Sequence, residues 1–182
     1  MEKRNVLFVM SSLRNGGAER SLVNLLQLLD YDRYNVDLLL FQNEGLFLKQ
    51  VPKAVNIISN CNKLYTLYDN NKAEALKHPY LSAIHMIGTF ISRKKTNSVA
   101  KSRQYRWEHF YKKIVPELTK EYDVAIAYMQ REQTYFLVDK VKAAKKIAWV
   151  HNEYSQLGHF KEMDLEYFEK VDKVVTISVP KT

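Results

Sequence analysis

Two adjacent glycines, Gly16 and Gly17, lie between an apolar run and a helical pattern near the start of the chain. The run at 6–10 holds no polar residue, which is typical of a parallel strand covered on both faces. A helix N-terminus offers free N–H groups and the positive end of the helix dipole, and glycine lets a ligand approach that backbone closely. The pattern therefore predicts either a phosphate or sugar contact at the two glycines or a tight turn that serves packing alone.

His151 is the second candidate for chemistry, because it directly follows the apolar run at 147–150. A neutral imidazole donates one hydrogen bond and accepts another, so His151 can hold a substrate hydroxyl or, alternatively, cap the local backbone. Asn152 follows it in the same polar loop. Arg20 and Arg131 stand near the starts of two predicted helices, where a guanidinium can bind substrate or remain a surface charge.

These candidates follow different strands and are predicted to meet. In an open α/β sheet, ligands bind beyond the carboxyl ends of the strands. The polar segments 11–17, 128–134 and 151–154 each follow a predicted strand. We therefore expect Gly17 and His151 to line one cleft, although more than a hundred residues separate them.

Other common chemistries lack their residues in this sequence. The glycines match neither the phosphate loop that ends in Gly-Lys-Ser or Gly-Lys-Thr nor the three-glycine dinucleotide fingerprint. The second predicted strand ends in Phe41-Gln42-Asn43, without the acid that would hold a ribose, which disfavours a nicotinamide oxidoreductase. The five histidines are scattered and Cys61 is the only cysteine, so we expect no metal, no cofactor and no internal disulfide.

The framework that must position these residues alternates strands and helices. Strands are predicted at 5–10, 35–41, 55–58, 124–128, 146–150 and 173–177. Helices are predicted at 17–29, 72–77, 80–92, 98–120, 131–141 and 165–170, with a short helical turn at 46–50. This alternation predicts an α/β fold with a doubly wound, mainly parallel sheet, and 182 residues are enough for a single domain.

A basic segment, 93–113, lies within a stretch from about residue 61 to 120 that is long for one crossover between strands and predicts a helical insertion. It holds eight basic residues and one acid, Glu108, and so carries +7 of the net charge of +8. Aromatic residues such as Trp107 are interleaved with the charges. The pattern predicts either a solvated helix face or a surface for an anionic membrane. No motif favours nucleic acid, and Pro116 is expected to interrupt the helix.

Three segments together resemble a known enzyme family. Residues 15–22 read Asn-Gly-Gly-Ala-Glu-Arg-Ser-Leu, residues 146–154 contain a Trp-Val-His sequence, and residues 172–178 contain a predicted strand that ends just before a serine. In this order, and spread over nearly the whole chain, they are similar to the N-terminal domain of family four glycosyltransferases of the GT-B type, which carry a "GGAER"-like turn after their first strand.

The resemblance implies a Rossmann-like domain on the acceptor side of a retaining glycosyltransferase. Such an enzyme transfers a sugar, which the resemblance implies is a hexose, from a nucleotide-sugar donor to a glycan or lipid-linked acceptor. The catalytic candidate is then His151, beside the donor sugar. Gly16 and Gly17 contact the donor or its phosphate, and Arg20, Arg131 and Asn152 are further candidates for substrate contacts.

The family's donor-binding C-terminal domain has no counterpart in these 182 residues, so we expect little or no turnover from this chain alone. Because no signal peptide or membrane span is recognisable, we expect a cytoplasmic protein, peripheral on the inner face of the cell membrane. The alternative interpretation is a non-catalytic α/β module that binds anionic ligands or a membrane through the basic segment.

Overall fold

A single sheet of six parallel strands organises the protein. The computed structural model describes residues 2–58, 62–68, 76–151, 158 and 160–177. The strands are β1 (Arg4–Met10), β2 (Tyr34–Leu40), β3 (Asn56–Ile58), β4 (Glu121–Ala127), β5 (Lys142–Val150) and β6 (Lys173–Thr176). Their order is β3-β2-β1-β4-β5-β6, and every neighbouring pair is parallel. This is the strand order of a Rossmann-like doubly wound sheet, so the predicted fold class and the central position of β1 are confirmed.

The helices of the described chain are mostly short. They are α1 (Gly17–Leu28), α2 (Asn62–Tyr68), α3 (Pro79–Lys95), α4 (Val99–Arg106), α5 (Lys112–Ile114), α6 (Glu132–Lys140) and α7 (Lys161–Phe168). A 3-10 turn occupies Leu48–Gln50, and a π-helical turn at Trp107–Tyr111 joins α4 to α5. From α2 to α5, the described residues between β3 and β4 are mainly helical, which agrees with the predicted insertion.

Both faces of the sheet are covered, and this explains the unbroken apolar sequence of β1. Phe8 and Met10 pack on one face with Leu22 and other side chains of α1. Leu7 and Val9 point to the opposite face, into a core that contains residues of α2, the π-helical turn and α6. Since successive side chains of a strand alternate between faces, a strand buried on both sides needs apolar residues throughout.

The predicted helix 98–120 is wrong in its extent. α4 ends at Arg106, the π-helical turn follows, and α5 ends at Ile114, ahead of Pro116. α2 was not predicted, and most of the predicted helix 72–77 lies outside the described residues. The predicted helix 165–170 instead spans Lys161–Phe168.

Two strands begin earlier than their apolar pattern indicated. β5 starts at Lys142, four residues before the predicted start, and its lysine-rich first half pairs with β4 from Glu121 onward. This part of β5 contains Lys142, Lys145 and Lys146 rather than an apolar run, so apolar periodicity could not reveal it.

Asp37 is a buried carboxylate within β2, with only 4% of the residue exposed. It accepts hydrogen bonds from Asn56 Nδ2 at 2.8 Å, Lys120 Nζ at 2.9 Å and Tyr122 Oη at 2.8 Å. Burial by itself would raise the pKa of Asp37, but these hydrogen bonds and the Lys120 charge lower it overall below its usual value. The ionised carboxylate therefore ties β2 to β3 and to the start of β4.

We expect part of the folding stability to be lost in acid because of Asp37. A carboxyl whose folded-state pKa is depressed stabilises the fold above its unfolded pKa, roughly 3.9, and this contribution disappears as the pH falls through the lower folded value. Urea unfolding of the wild type and of Asp37→Asn, at pH 7 and in acid, measures it. The variant should start less stable and lose less on acidification. Equal losses in both proteins would contradict the assignment.

Candidate functional site

The candidate site lies where β1 and β4 are neighbours in the middle of the sheet. α1, which follows β1, packs on one face, whereas α6, which follows β4, packs on the other. The chain thus diverges at the carboxyl ends of these two strands, and such a switch point leaves a crevice in which ligands bind in α/β proteins. Gly16 and Gly17 begin α1, Arg131 precedes α6, and His151 directly follows β5.

An aromatic stack joins the ends of β4 and β5. The ring centroids of Tyr128 and Trp149 lie 4.9 Å apart, and His151 lies 5.0 Å from Tyr128 and 5.5 Å from Trp149. The Tyr128 hydroxyl is 3.0 Å from Ser21 Oγ of α1. The stack therefore connects His151 with the helix that starts at the glycine pair.

His151 carries a free polar atom at this edge. Its backbone N–H donates to Gln130 Oε1 at 3.2 Å, whereas its Nε2 is buried and has no hydrogen-bond partner among the described residues. Burial lowers the pKa of His151 below its usual value, and the nearby Glu19 carboxylate opposes this shift only in part. The imidazole is therefore neutral at pH 7, and it can donate or accept one hydrogen bond at Nε2, according to its tautomer.

The Glu19 side chain lies against Gly16 at the start of α1. The backbone of Gly16, at the N-cap, has φ −85° and ψ 165°, and a Cβ at this position would overlap the Glu19 carboxylate. The carboxylate thus sits beside the positive end of the helix dipole, a favourable position for an anion. A phosphate that approaches Gly16 must displace this side chain.

Gly17 has no structural reason to be a glycine in the described part of the chain. A Cβ there would meet nothing within 4 Å, and the residue is the first of a regular helix. The alternative that Gly17 serves only close packing therefore finds no contact to support it. Open space beside a helix N-terminus is what the approach of a ligand requires.

Gly45, in contrast, is demanded by the fold, and the sequence analysis did not single it out. Its φ is +133°, and a Cβ would overlap the carbonyl oxygen of Leu13. Around it, Leu13 N donates to Glu44 O at 2.9 Å, and Phe47 N donates to Leu13 O at 3.1 Å. The loop after β2 therefore holds the loop between β1 and α1 in place.

Arg131 has a strained backbone at the other side of the crevice. With φ 76° and ψ −125°, it is the only non-glycine residue of the described ranges with positive φ. Its Nε and the Nε2 of its neighbour Gln130 are both buried without a hydrogen-bond partner in the described chain. Strained backbone of this kind concentrates at functional sites, and no feature of the sequence signals it.

A buried ion pair fixes the start of α6. Glu132 is 1% exposed and forms a salt bridge with Arg103 of α4; Arg131 Nε lies 3.8 Å from its other oxygen. Burial alone would raise the pKa of Glu132, but the charges of Arg103 and Arg131 hold it below its usual value. One arginine of the basic segment is thus not a free surface charge but part of the framework of the site.

The structure places four of the predicted site residues at one edge of the sheet, a fifth on an exposed helix surface, and does not describe the sixth. Gly16, Gly17, Arg131 and His151 lie at the same edge of the sheet, as described above. Arg20 is exposed on the first turn of α1 and forms no ion pair with the described residues. Asn152 lies outside the described residues.

No group of three or more potential metal ligands occurs within the described ranges. A hollow of about 530 Å³ lies at the amino ends of the strands, lined by residues such as Asn5, Glu121 and Lys142. Ligands of this fold class bind at the opposite, carboxyl edge of the sheet.

The chain is thus an α/β protein with a polar site at the switch point of a Rossmann-like sheet. None of the described helices is both long and apolar enough to cross a membrane. No protein-family model matches the chain, and no curated protein matches it either.

The two contrasting glycines make a matched test of the site. Gly17→Ala should leave the free energy of unfolding unchanged or raise it by up to about 1 kcal/mol, because alanine is compatible with the helix and restricts the unfolded chain. Gly45→Ala should lower it by about 1–3 kcal/mol from backbone strain alone, with the overlap at Leu13 added. Urea unfolding of both variants measures the contrast. A loss at Gly17 as large as that at Gly45 would show that Gly17 is structural.

The strain at Arg131 can be isolated by comparing two truncations. Arg131→Gly and Arg131→Ala remove the same guanidinium, but only glycine accepts the observed backbone without strain. The glycine variant should be the more stable of the two by about 1–3 kcal/mol in chemical denaturation. Equal stabilities would mean that the backbone at this position carries no strain.

Proposed function

We propose that this chain is the N-terminal, acceptor-side domain of a glycosyltransferase that transfers a sugar from a nucleotide-sugar donor to a glycan or lipid-linked acceptor. The observation that carries the proposal is the set of unsatisfied polar atoms at the switch point, beside open space at Gly17. These atoms are Gln130 Nε2, His151 Nε2 and Arg131 Nε, the last of which has no hydrogen bond and only the 3.8 Å ion pair with Glu132.

Buried polar groups without a hydrogen-bond partner lower the stability of the fold, so their presence needs an explanation. Leaving one such group without a partner costs about 1–3 kcal/mol, and native proteins hold few of them. A ligand rich in hydroxyl and phosphate oxygens would satisfy an imidazole, an amide and a guanidinium together. A sugar attached to a phosphate has this chemistry, which supports the resemblance of residues 15–22 and 146–154 to family four glycosyltransferases.

Each group has a role in this proposal. The neutral His151 Nε2 would hydrogen-bond a hydroxyl of the donor sugar, and the start of α1 at Gly17 would lie close to the donor phosphate. Arg131 would stabilise negative charge on the departing phosphate, since a fixed guanidinium in a site with little water favours developing charge. Arg20, on the exposed side of α1, would contact the acceptor. The contribution of the domain is the orientation of the two substrates.

We place the activity in the cytoplasm, at the inner face of the cell membrane, where lipid-linked acceptors are found. Donor binding would depend largely on a second domain, so the isolated 182 residues would be inactive. No metal or other cofactor is invoked.

The test is sugar transfer by the full-length protein that contains this domain, assayed with a panel of UDP- and GDP-linked sugars. Exchange of His151 for alanine removes one hydrogen bond, so transfer should fall by about 2- to 10-fold with the melting temperature unchanged. Gly17→Val should reduce transfer further, because a branched side chain occupies the space open to the ligand. His109→Ala is the matched control, since this exposed histidine lies on the π-helical turn, away from the switch point.

Two results would contradict the proposal. One is sugar transfer by His151→Ala at the wild-type rate. The other is a failure of every nucleotide sugar to act as donor, combined with tight binding of NADH to the same protein. This result would favour a nicotinamide oxidoreductase. If transfer is absent but the protein still binds anionic vesicles, the alternative of a non-catalytic binding module is favoured.

A further inference from the structure

Helix α3 carries most of its large apolar residues on its exposed side rather than on its buried side. Its buried residues are Leu81, Gly88 and Ser92, and the half-buried His85 lies on the same side. Its outward side carries Tyr80, Met86, Ile87 and Phe90, which are 54%, 70%, 54% and 62% exposed. A helix of a soluble domain normally turns its apolar stripe toward the core, so folding of the described chain does not explain these four residues.

The inner side of α3 is already fully engaged. A Cβ at Gly88 would contact the Phe110 ring at 3.4 Å, His85 Nδ1 lies 2.8 Å from the Tyr111 hydroxyl, and Ser92 Oγ lies 2.7 Å from Ser102 Oγ. Small and polar residues on this side allow close packing against α4 and the π-helical turn. The helix is therefore not free to rotate and bury its apolar side.

A cluster of positive charge ends the same helix. Arg93, Lys94 and Lys95 are exposed in the last turn of α3, and Lys94 Nζ lies 4.4 Å from the centroid of the Phe90 ring. The sequence contains no acidic residue between Glu74 and Glu108. The apolar stripe therefore continues into a cationic patch that no carboxylate of this stretch neutralises.

Much of the remaining basic segment makes contacts within the fold. Arg103 is paired with Glu132, and Lys112 lies 3.4 Å from Asp139 and 3.7 Å from Glu108. Arg106 Nη1 donates to Thr89 and Ser102 hydroxyls, at 3.4 Å and 3.2 Å. Basic side chains that form no ion pair with the described residues include those at the end of α3, the exposed Lys113, and Arg106, whose Nη1 but not Nε is hydrogen-bonded.

A polar cleft opens beside these charges. It has a volume of about 290 Å³ and is lined by Arg93, Arg106 and the hydroxyl-bearing residues Thr96, Ser98 and Ser102. Arg106 Nε is buried without a hydrogen-bond partner in the described chain. The two guanidinium groups match the chemistry of a phosphate group, whereas the three hydroxyls already form hydrogen bonds within the fold.

We propose that the outward side of α3, from Tyr80 to Lys95, docks this protein on an anionic phospholipid surface. Met86, Ile87 and Phe90 insert among the acyl chains at the interface, Tyr80 lies at headgroup level, and the basic cluster and cleft bind lipid phosphates. Apolar residues beside lysine and arginine are the signature of a helix that lies in the plane of the interface, and each such cation near an anionic leaflet adds to binding.

The charge pattern favours a membrane over a second copy of the chain. A parallel twofold contact through α3 would bring two clusters of the same sign together, and an antiparallel contact would leave both clusters without an opposite charge, in a protein whose net charge is already +8. An anionic lipid surface complements the cluster and covers the apolar stripe at once. The proposal is independent of the proposed function, because vesicle binding is measured without any sugar donor.

The experiment is cosedimentation of the 182-residue chain with vesicles of neutral phosphatidylcholine, with and without 30% phosphatidylglycerol. Binding should require the anionic lipid and weaken with added salt, since exposed charges are screened over roughly 8–10 Å at physiological ionic strength. Lys94→Glu/Lys95→Glu should reduce the partition coefficient about tenfold or more. Lys49→Glu/Lys53→Glu makes the same change of charge at two exposed lysines outside α3 and should bind like the wild type.

A second pair of variants tests the apolar stripe. Ile87→Ser/Phe90→Ser should lose most of the binding, whereas Leu28→Ser, at a residue 85% exposed on α1, should retain it. Melting temperatures show whether each variant is folded. Three results would overturn the proposal: no binding of the wild type to anionic vesicles, equal losses in the control variants, or stabilisation by inorganic phosphate without vesicle binding. A dimer of the wild type that Phe90→Ser dissociates would instead assign the stripe to a second copy.

Discussion

The buried ion pair between Arg103 and Glu132 is the interaction on which the insertion and the candidate site both depend. Glu132 is the first residue of α6, and a buried carboxylate without its partner is strongly destabilising. Docking of α4 against the sheet and placement of α6 therefore depend on each other. Because α6 begins directly after the strained Arg131, the helical insertion holds the switch point in place.

Hydrogen bonds from α4 and the π-helical turn to α6 and α7 surround this ion pair. Gln104 of α4 donates to the Tyr135 hydroxyl at 2.8 Å and to Asp164 of α7 at 3.1 Å, and Trp107 Nε1 donates to Asp139 of α6 at 3.0 Å. A polar network of this kind tolerates few geometries, because every buried group in it must keep a partner. It fixes α4 and α6 in one arrangement.

The sequence predicted what depends on local pattern and missed what depends on distant contacts. The apolar runs at 6–10 and 35–41 revealed the strands, and the strand-end rule placed Gly17 and His151 at one edge. The π-helical turn, the backbone of Arg131 and the pairing of Arg103 with Glu132 left no local signal, since each arises from packing between segments far apart in the chain. The apolar character of α3 was visible in its sequence, but which side faces outward follows only from its contacts with Phe110 and Ser102.

The position of Glu19 over Gly16 changes what an affinity measured at this site would mean. A carboxylate tethered three residues away behaves as an internal competitor that is always present at high local concentration. An anionic ligand would then bind only the fraction of molecules in which Glu19 has swung away, and its apparent dissociation constant would exceed the intrinsic one by the inverse of that fraction. A weakly binding wild type is thus compatible with a site whose intrinsic affinity for phosphate is high.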